Sequence, residues 1–273
     1  VSLSLNELGV TTGPLQVWEG DVPRPTQLLD DDGDNLPDRL VFLADLDAAA
    51  THTYHIDDRQ SEQPVSPRTH AEVSIKEGGE WQGSTYVGGT FVNVDQLTPP
   101  PQYTDHSEYI RYEGPGIESD LVGYRVYLDW RNGFDIFGKK TSAMALQAVG
   151  QDGYDSYHEM SDWGMDILKV GAAVGCGGFG YFDGSKLERT DAIEGWDAAI
   201  TDNSDLYAAF TIAYKNWSVA GDAVTVDATY SMHAGSRLVK AQLALSRALP
   251  GLAVGIVKHE SAELLVGELD IPE

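Results

Sequence analysis

Residues 124–140, YRVYLDWRNGFDIFGKK, carry the clearest indication of how this chain folds. Side chains alternate in character from Tyr124 to Arg131, and successive side chains of a β-strand point to opposite faces. Tyr124, Val126, Leu128 and Trp130 then share a face suited to a core. Arg125, Tyr127, Asp129 and Arg131 share the other, a polar platform with two guanidiniums. Arginine captures carboxylates and sulfates through paired hydrogen bonds, so this row is a candidate surface for an anionic ligand. Arg131-Asn132-Gly133 reads as a tight turn, with a returning strand behind it.

The same period recurs outward from this stretch. Downstream lie four strand-like runs separated by turn residues: LYAAFTIAY (206–214), AVTVDATYSM (223–232), RLVKAQLALS (237–246) and LAVGIVKH (252–259). They predict an antiparallel meander. Upstream, VSLSL, LQVW, RLVFLADL and THTYHI suggest short strands before residue 57. His70–Trp81 reads as a hairpin turning at Glu77-Gly78-Gly79-Glu80, Thr85–Val94 as a further strand, and Asp95–Glu108, with Pro99-Pro100-Pro101, as a loop. Helical periodicity is scarce, and Ser142–Val149 is the best helix candidate. The expected class is all-β, an antiparallel sandwich with little helix. We divide it into an N-terminal β segment with an acidic loop (1–60) and a main sandwich domain (61–273).

The 273 residues hold 43 acids against 18 Lys and Arg, a formal net charge of −25. That argues against a nucleic-acid partner, which demands basic patches. No apolar run reaches the roughly 20 residues of a membrane-spanning helix, so no membrane partner is expected. The single cysteine, Cys176, excludes an internal disulfide. The sequence begins at Val1 without a leader and ends at Ile271-Pro272-Glu273 just after a strand-like run, which suggests a trimmed N-terminus and a missing C-terminal part. It leaves the oligomeric state open.

Asp30, Asp32, Asp34 and Asp38 stand at positions one, three, five and nine of a calcium-type loop, but Val41 replaces the closing bidentate glutamate. The segment is either a small calcium site of structural kind or an acidic turn. No organic cofactor motif is present. Among the seven histidines, His158 stands out by its company: Tyr157, Glu159, Asp162, Trp163 and Asp166. A histidine with a tyrosine, carboxylates and an aromatic offers general acid/base chemistry on a sugar. His233 and His259 follow strand-like runs and are candidates for a cleft rim.

The segments QLLDDDGDNLPDRLVFLADL, YRVYLDWRNGFDIFGKK, YHEMSDWGMDILKVG and SRLVKAQLAL together resemble a bacterial family labelled domain of unknown function 4861, found among secreted polysaccharide-degradation proteins. The resemblance implies a β-rich, mutarotase-like supersandwich in a periplasmic or secreted protein that acts on uronic-acid polysaccharides such as ulvan, by lyase or dehydratase steps. The residues then suggest β-elimination. Arg125 and Arg131 would neutralise the uronate carboxylate, His158 or Tyr157 would take the C5 proton, and Tyr127, Asp129, Trp163, His233 and His259 would contact substrate. A glycoside hydrolase using two of Glu159, Asp162 and Asp166, and a non-catalytic carbohydrate-binding module, are the alternatives.

Overall fold

The computed structural model describes residues 1–10, 13–153 and 156–263. The first three predicted meander runs lie side by side in a five-stranded antiparallel sheet, ordered Gln96–Leu97, Gly195–Asn203, Tyr207–Val219, Asp222–His233, Val239–Leu245. The fourth run departs from the expectation. Leu252–Ile256 leaves that sheet and pairs with Cys176–Phe182, which also pairs with Leu187–Arg189.

The second five-stranded sheet is ordered Gly164–Asp166, Phe134–Lys139, Gly123–Val126, Gly116–Ser119, Thr69–Glu72. Its inward residues, among them Ala71, Ile117, Val126 and Phe134, meet Phe210, Ile212, Tyr230 and Met232 of the first sheet in one apolar cluster. The rings of Phe134 and Tyr230 meet edge to face at 5.1 Å. This is the expected sandwich, antiparallel and almost without helix.

The other face of the second sheet is charged, and it is buried. Cross-strand register places Glu72, Gly116, Arg125 and Asp135 in one row, and His70, Glu118, Gly123, Phe137 and Asp166 in the next. Gly116 is required here: a Cβ at that position would sit 2.6 Å from the Tyr112 hydroxyl, which donates to Glu72 at 2.6 Å. Glu72 also pairs with Arg111. Glu118, wholly buried, pairs with Lys139 at 2.5 Å.

This charged layer explains why Ser142–Val149 is not the predicted helix. The Glu118 carboxylate accepts the amides of Ala145 and Leu146, while the carbonyls of Leu146, Gln147 and Val149 accept from Arg111 Nη1. The Leu146 amide, which a helix over 142–149 would give to the Ser142 carbonyl, is taken by Glu118, and only the 3-10 turn Leu146–Ala148 remains. Among the described residues the α-helix is the single turn Leu5–Leu8, and no helix is long and apolar enough to cross a membrane.

The N-terminal segment forms two small three-stranded sheets around Leu5, Val17, Leu40 and Phe42. Leu29 and Val41 pack with Leu206 and Ala234 of the sandwich. The upstream hairpin also differs from expectation. Ser74–Gln82 runs through Gly78-Gly79 without turning and pairs with Thr85–Asn93. Gly79 faces Gly88 across the ladder, so the glycines that suggested a turn are a paired irregularity in mid-hairpin.

Candidate functional site

The polar platform exists only in part. The strand ends at Val126, and Asn132 N–H donates to the Asp129 carbonyl to close a turn over Asp129–Asn132. That turn leaves Trp130 42% exposed rather than in the core and buries Tyr127 and Asp129. Arg125 lies at the centre of the buried row. Its Nη2 donates to Asp135 and Asp166, each at 2.7 Å, and to the Tyr127 hydroxyl at 2.5 Å. Nε donates to Asp135 at 3.0 Å and Nη1 to the Tyr157 hydroxyl at 2.9 Å. Arg125 is therefore saturated and 2% exposed, and it cannot receive a substrate anion as expected.

Tyr157 is corrected on the same ground. It is buried, and its hydroxyl accepts from Arg125. Burial pushes that phenol up to about 12, against the pull of the guanidinium, which makes it a poor base.

The charge balance is also the reverse of the expected one. Arg125 and Arg131 are surrounded by four carboxylates: Asp129, Glu113, Asp135 and Asp166. Arg131 gives Nε and Nη2 to Asp129, and its Nη2 lies 3.0 Å from Glu113. Its guanidinium stacks 3.7 Å from the centre of the Tyr127 ring. Arg131 Nη1 makes no hydrogen bond among the described residues.

A cleft of about 470 Å³ opens beside this cluster, lined by Tyr127, Arg131, His158, Asp166 and the segment 167–171. His158 sits in the 3-10 turn Ser156–His158 with its ring against Tyr157. Its side chain is half exposed, and Nε2 lies 3.5 Å from Asp166 Oδ2. Asp166 ends the short strand Gly164–Asp166, at the edge of the sheet. Burial lifts its carboxyl to about 6; Arg125 opposes the rise and the neighbouring Asp135 charge adds to it. A buried carboxyl that titrates near neutrality beside an accessible imidazole in a cleft is the pairing acid/base chemistry uses. Lys169, exposed on the same segment, makes no ion pair among the described residues. Asp166 is the one carboxylate lining this cleft among the described residues, so the two-carboxyl arrangement of a glycosidase is not found there.

The other expected site residues lie apart. Trp163 packs edge-on against Phe137, 5.9 Å between ring centres, as part of a buried aromatic cluster rather than the cleft lining. His233 rests on Tyr207 at the end of its strand; burial lowers its pKa, and the N-terminal amine, Arg39 and Lys240 add to the fall. His259 lies in a turn whose carbonyl accepts the amide of Ala262. Neither lines the cleft.

In the acidic loop, Asp30, Asp32 and Asp38 bring carboxylate oxygens within 4.8 Å of one another. Asp34 is not in that group; it accepts the amide of Leu36. Asp30 accepts amides from Gly33 and Asn35, and Asp38 from Asp31. A larger groove of about 700 Å³ crosses the outer face of the first sheet, past Asp197, Ala213 and Asp227. Among the described residues it holds no histidine or tyrosine, and its Asp197 is tied to Lys215 and Thr98.

Residues 1–270 match a family described as "Domain of unknown function (DUF4861)". No curated protein and no solved structure matches the chain.

Proposed function

The chain belongs to the DUF4861 family, and we propose that its cleft carries out β-elimination on uronic-acid-containing oligosaccharides. The observation that carries this reading is the pairing of accessible His158 with Asp166, a carboxyl lifted to about 6 at 3.5 Å. Asp166 orients the Nε2 side of the ring and stabilises the imidazolium once it forms, which leaves Nδ1 to act on substrate.

Elimination requires the proton at C5 to leave while the adjacent carboxylate accepts developing enolate charge. Arg131 Nη1 and Lys169 are the cations available for that carboxylate, in place of Arg125. His158 Nδ1 takes the C5 proton, the C5–H electrons form the C4–C5 double bond, and the C4–O bond breaks. The same proton returns from His158 to the departing oxygen. If that oxygen carries a sugar, the reaction is a lyase cleavage; if it is a hydroxyl, water leaves and the reaction is a dehydration. We propose the periplasm or the cell exterior as the place of this activity, where polysaccharide-derived oligosaccharides are released.

The test is to incubate the protein with ulvan oligosaccharides and analyse products by mass and by absorbance of the conjugated double bond. Loss of water, or cleavage with unsaturation, supports the reading. Cleavage with addition of water, or no product from any uronate substrate, overturns it.

We also propose a calcium ion for the acidic loop. Three converging carboxylates offer the hard oxygen donors this cation takes, and they would repel one another without it. The loop lies on the N-terminal segment, and no catalytic step involves it.

A further inference from the structure

Trp130 is the aromatic that the sequence assigned to the core and the structure turns outward. At 42% exposure, it presents part of an indole, among the largest apolar surfaces a side chain offers, to the solvent. It is also fixed. Its Nε1–H donates to Asp105 Oδ2 at 3.0 Å, and the Arg189 guanidinium lies 4.9 Å from the ring centre. Asp105 is held ionised by its surroundings: burial would raise its pKa, but the indole N–H, Thr104 and nearby His106 and Arg131 bring it below the usual value.

Its place is defined by its neighbours. Arg131, the next residue, lines the cleft and lies 5.9 Å from the indole centre. Arg189 in turn donates to the carbonyl of Ala172 at 2.6 Å, directly after the segment 167–171 that forms the cleft wall. That wall therefore starts at Asp166, beside His158, and ends at the Arg189–Trp130 pair. An immobilised aromatic surface, joined to the cleft through Arg131 but set apart from the acid/base pair, suits the apolar face of a sugar ring that is not the one reacting.

Resting on the elimination reading, we propose that Trp130 forms a stacking subsite for a further sugar unit, so that the substrate is an oligosaccharide bound across several units rather than a free uronate or a disaccharide. The specificity this supplies is for chain length.

The test measures calorimetric binding of ulvan oligosaccharides of increasing length to the wild type, Trp130→Ala and Trp130→Phe, with melting temperatures alongside. The expected result is an affinity about tenfold lower in Trp130→Ala for the longer oligosaccharides, the scale at which a stacked tryptophan counts in binding. The disaccharide should bind as before, and Trp130→Phe should keep most of the affinity. Saccharide binding should also change tryptophan fluorescence in the wild type and less in Trp130→Phe, a readout that stands even if the alanine variant fails to fold. Equal affinity of wild type and variants at every length, or equal loss at every length, overturns the subsite and leaves the elimination reading intact. A wild type that converts and binds no uronate oligosaccharide overturns both.

Discussion

Arg125 and Asp135 face each other on adjacent antiparallel strands, with Arg125 Nη2 2.7 Å and Nε 3.0 Å from the same carboxylate oxygen. With Asp166, Tyr127 and Tyr157 on the same guanidinium, this pair is buried behind two residues of the cleft lining, Tyr127 and Asp166. A buried ion held on all sides fixes the positions of its partners.

Removing Arg125 should therefore act first on stability. Taking one partner from a buried pair costs about 3–5 kcal/mol, because the carboxylates left behind are unpaired. For a chain of this size the expected fall in melting temperature in Arg125→Ala is roughly 10 °C, read by calorimetry. Arg125→Lys should also be destabilised, since one ammonium cannot serve Asp135, Asp166 and two phenols in a plane. An unchanged melting temperature with lost anion affinity would restore the substrate role that the burial of Arg125 argues against.

His158→Ala should reduce turnover by about 10²–10⁴ with little change in ligand affinity, the usual share of a general base. The side chain is half exposed, and its loss leaves no buried group unpaired except for one contact to Asp166. Single-turnover kinetics and calorimetric binding separate the two effects. Retained turnover would move the base elsewhere in the cleft.

The raised pKa of Asp166 fixes the direction of two pH effects. A carboxyl lifted in the folded state favours the fold while protonated, so its contribution to stability is complete below the ordinary aspartate range and is lost as pH rises through about 6. Asp166→Asn should flatten the stability profile across that window in urea titrations. Catalysis runs the other way, since the ionised form supports the imidazolium. The rate should climb as pH passes about 6, and Asp166→Asn should remove Asp166's part of that rise.

Calcium should raise the melting temperature, and Asp30→Asn should abolish the rise. Asp30 belongs to the converging group and accepts three amides with its two oxygens. Differential scanning with calcium and with a chelator reads the effect directly; identical curves would leave a turn held by hydrogen bonds alone.

The all-β class was legible because alternation is a local property of each strand, and the sandwich followed from strands with one apolar face. The row around Arg125 was legible for the same reason. What it faces was not. A two-residue turn at Asn132-Gly133 would set Arg125 opposite Lys140, whereas the observed turn over Asp129–Asn132 sets it opposite Asp135. Asn132 is claimed by distant groups: its side chain donates to the Thr190 carbonyl and accepts from Trp196. Gly133 lies against Val170 and Val174. Neither contact leaves a trace in the local sequence, yet that shift in pairing gives Arg125 a carboxylate opposite it and turns an expected anion platform into a saturated, buried ion pair. Asp166 was visible as a carboxylate near His158; its raised pKa comes first from burial, with Arg125 opposing and Asp135 adding to it, and only the folded sheet supplies all three.

The grip of Glu118 and Arg111 on the backbone around Leu146 sets how that segment can evolve and move. The amides of Ala145 and Leu146 end on a carboxylate in the middle of the sheet, so their hydrogen exchange should follow opening of the sheet itself. This side of the molecule is not a lid that swings for substrate. Nor is it readily exchanged as a module, because a replacement segment would leave Glu118 and Arg111 with Lys139 and Glu72 but without the backbone groups they also hold. Variation in what the cleft accepts is cheaper on segment 167–171, where exposed Ile167 can change without disturbing the charged interior.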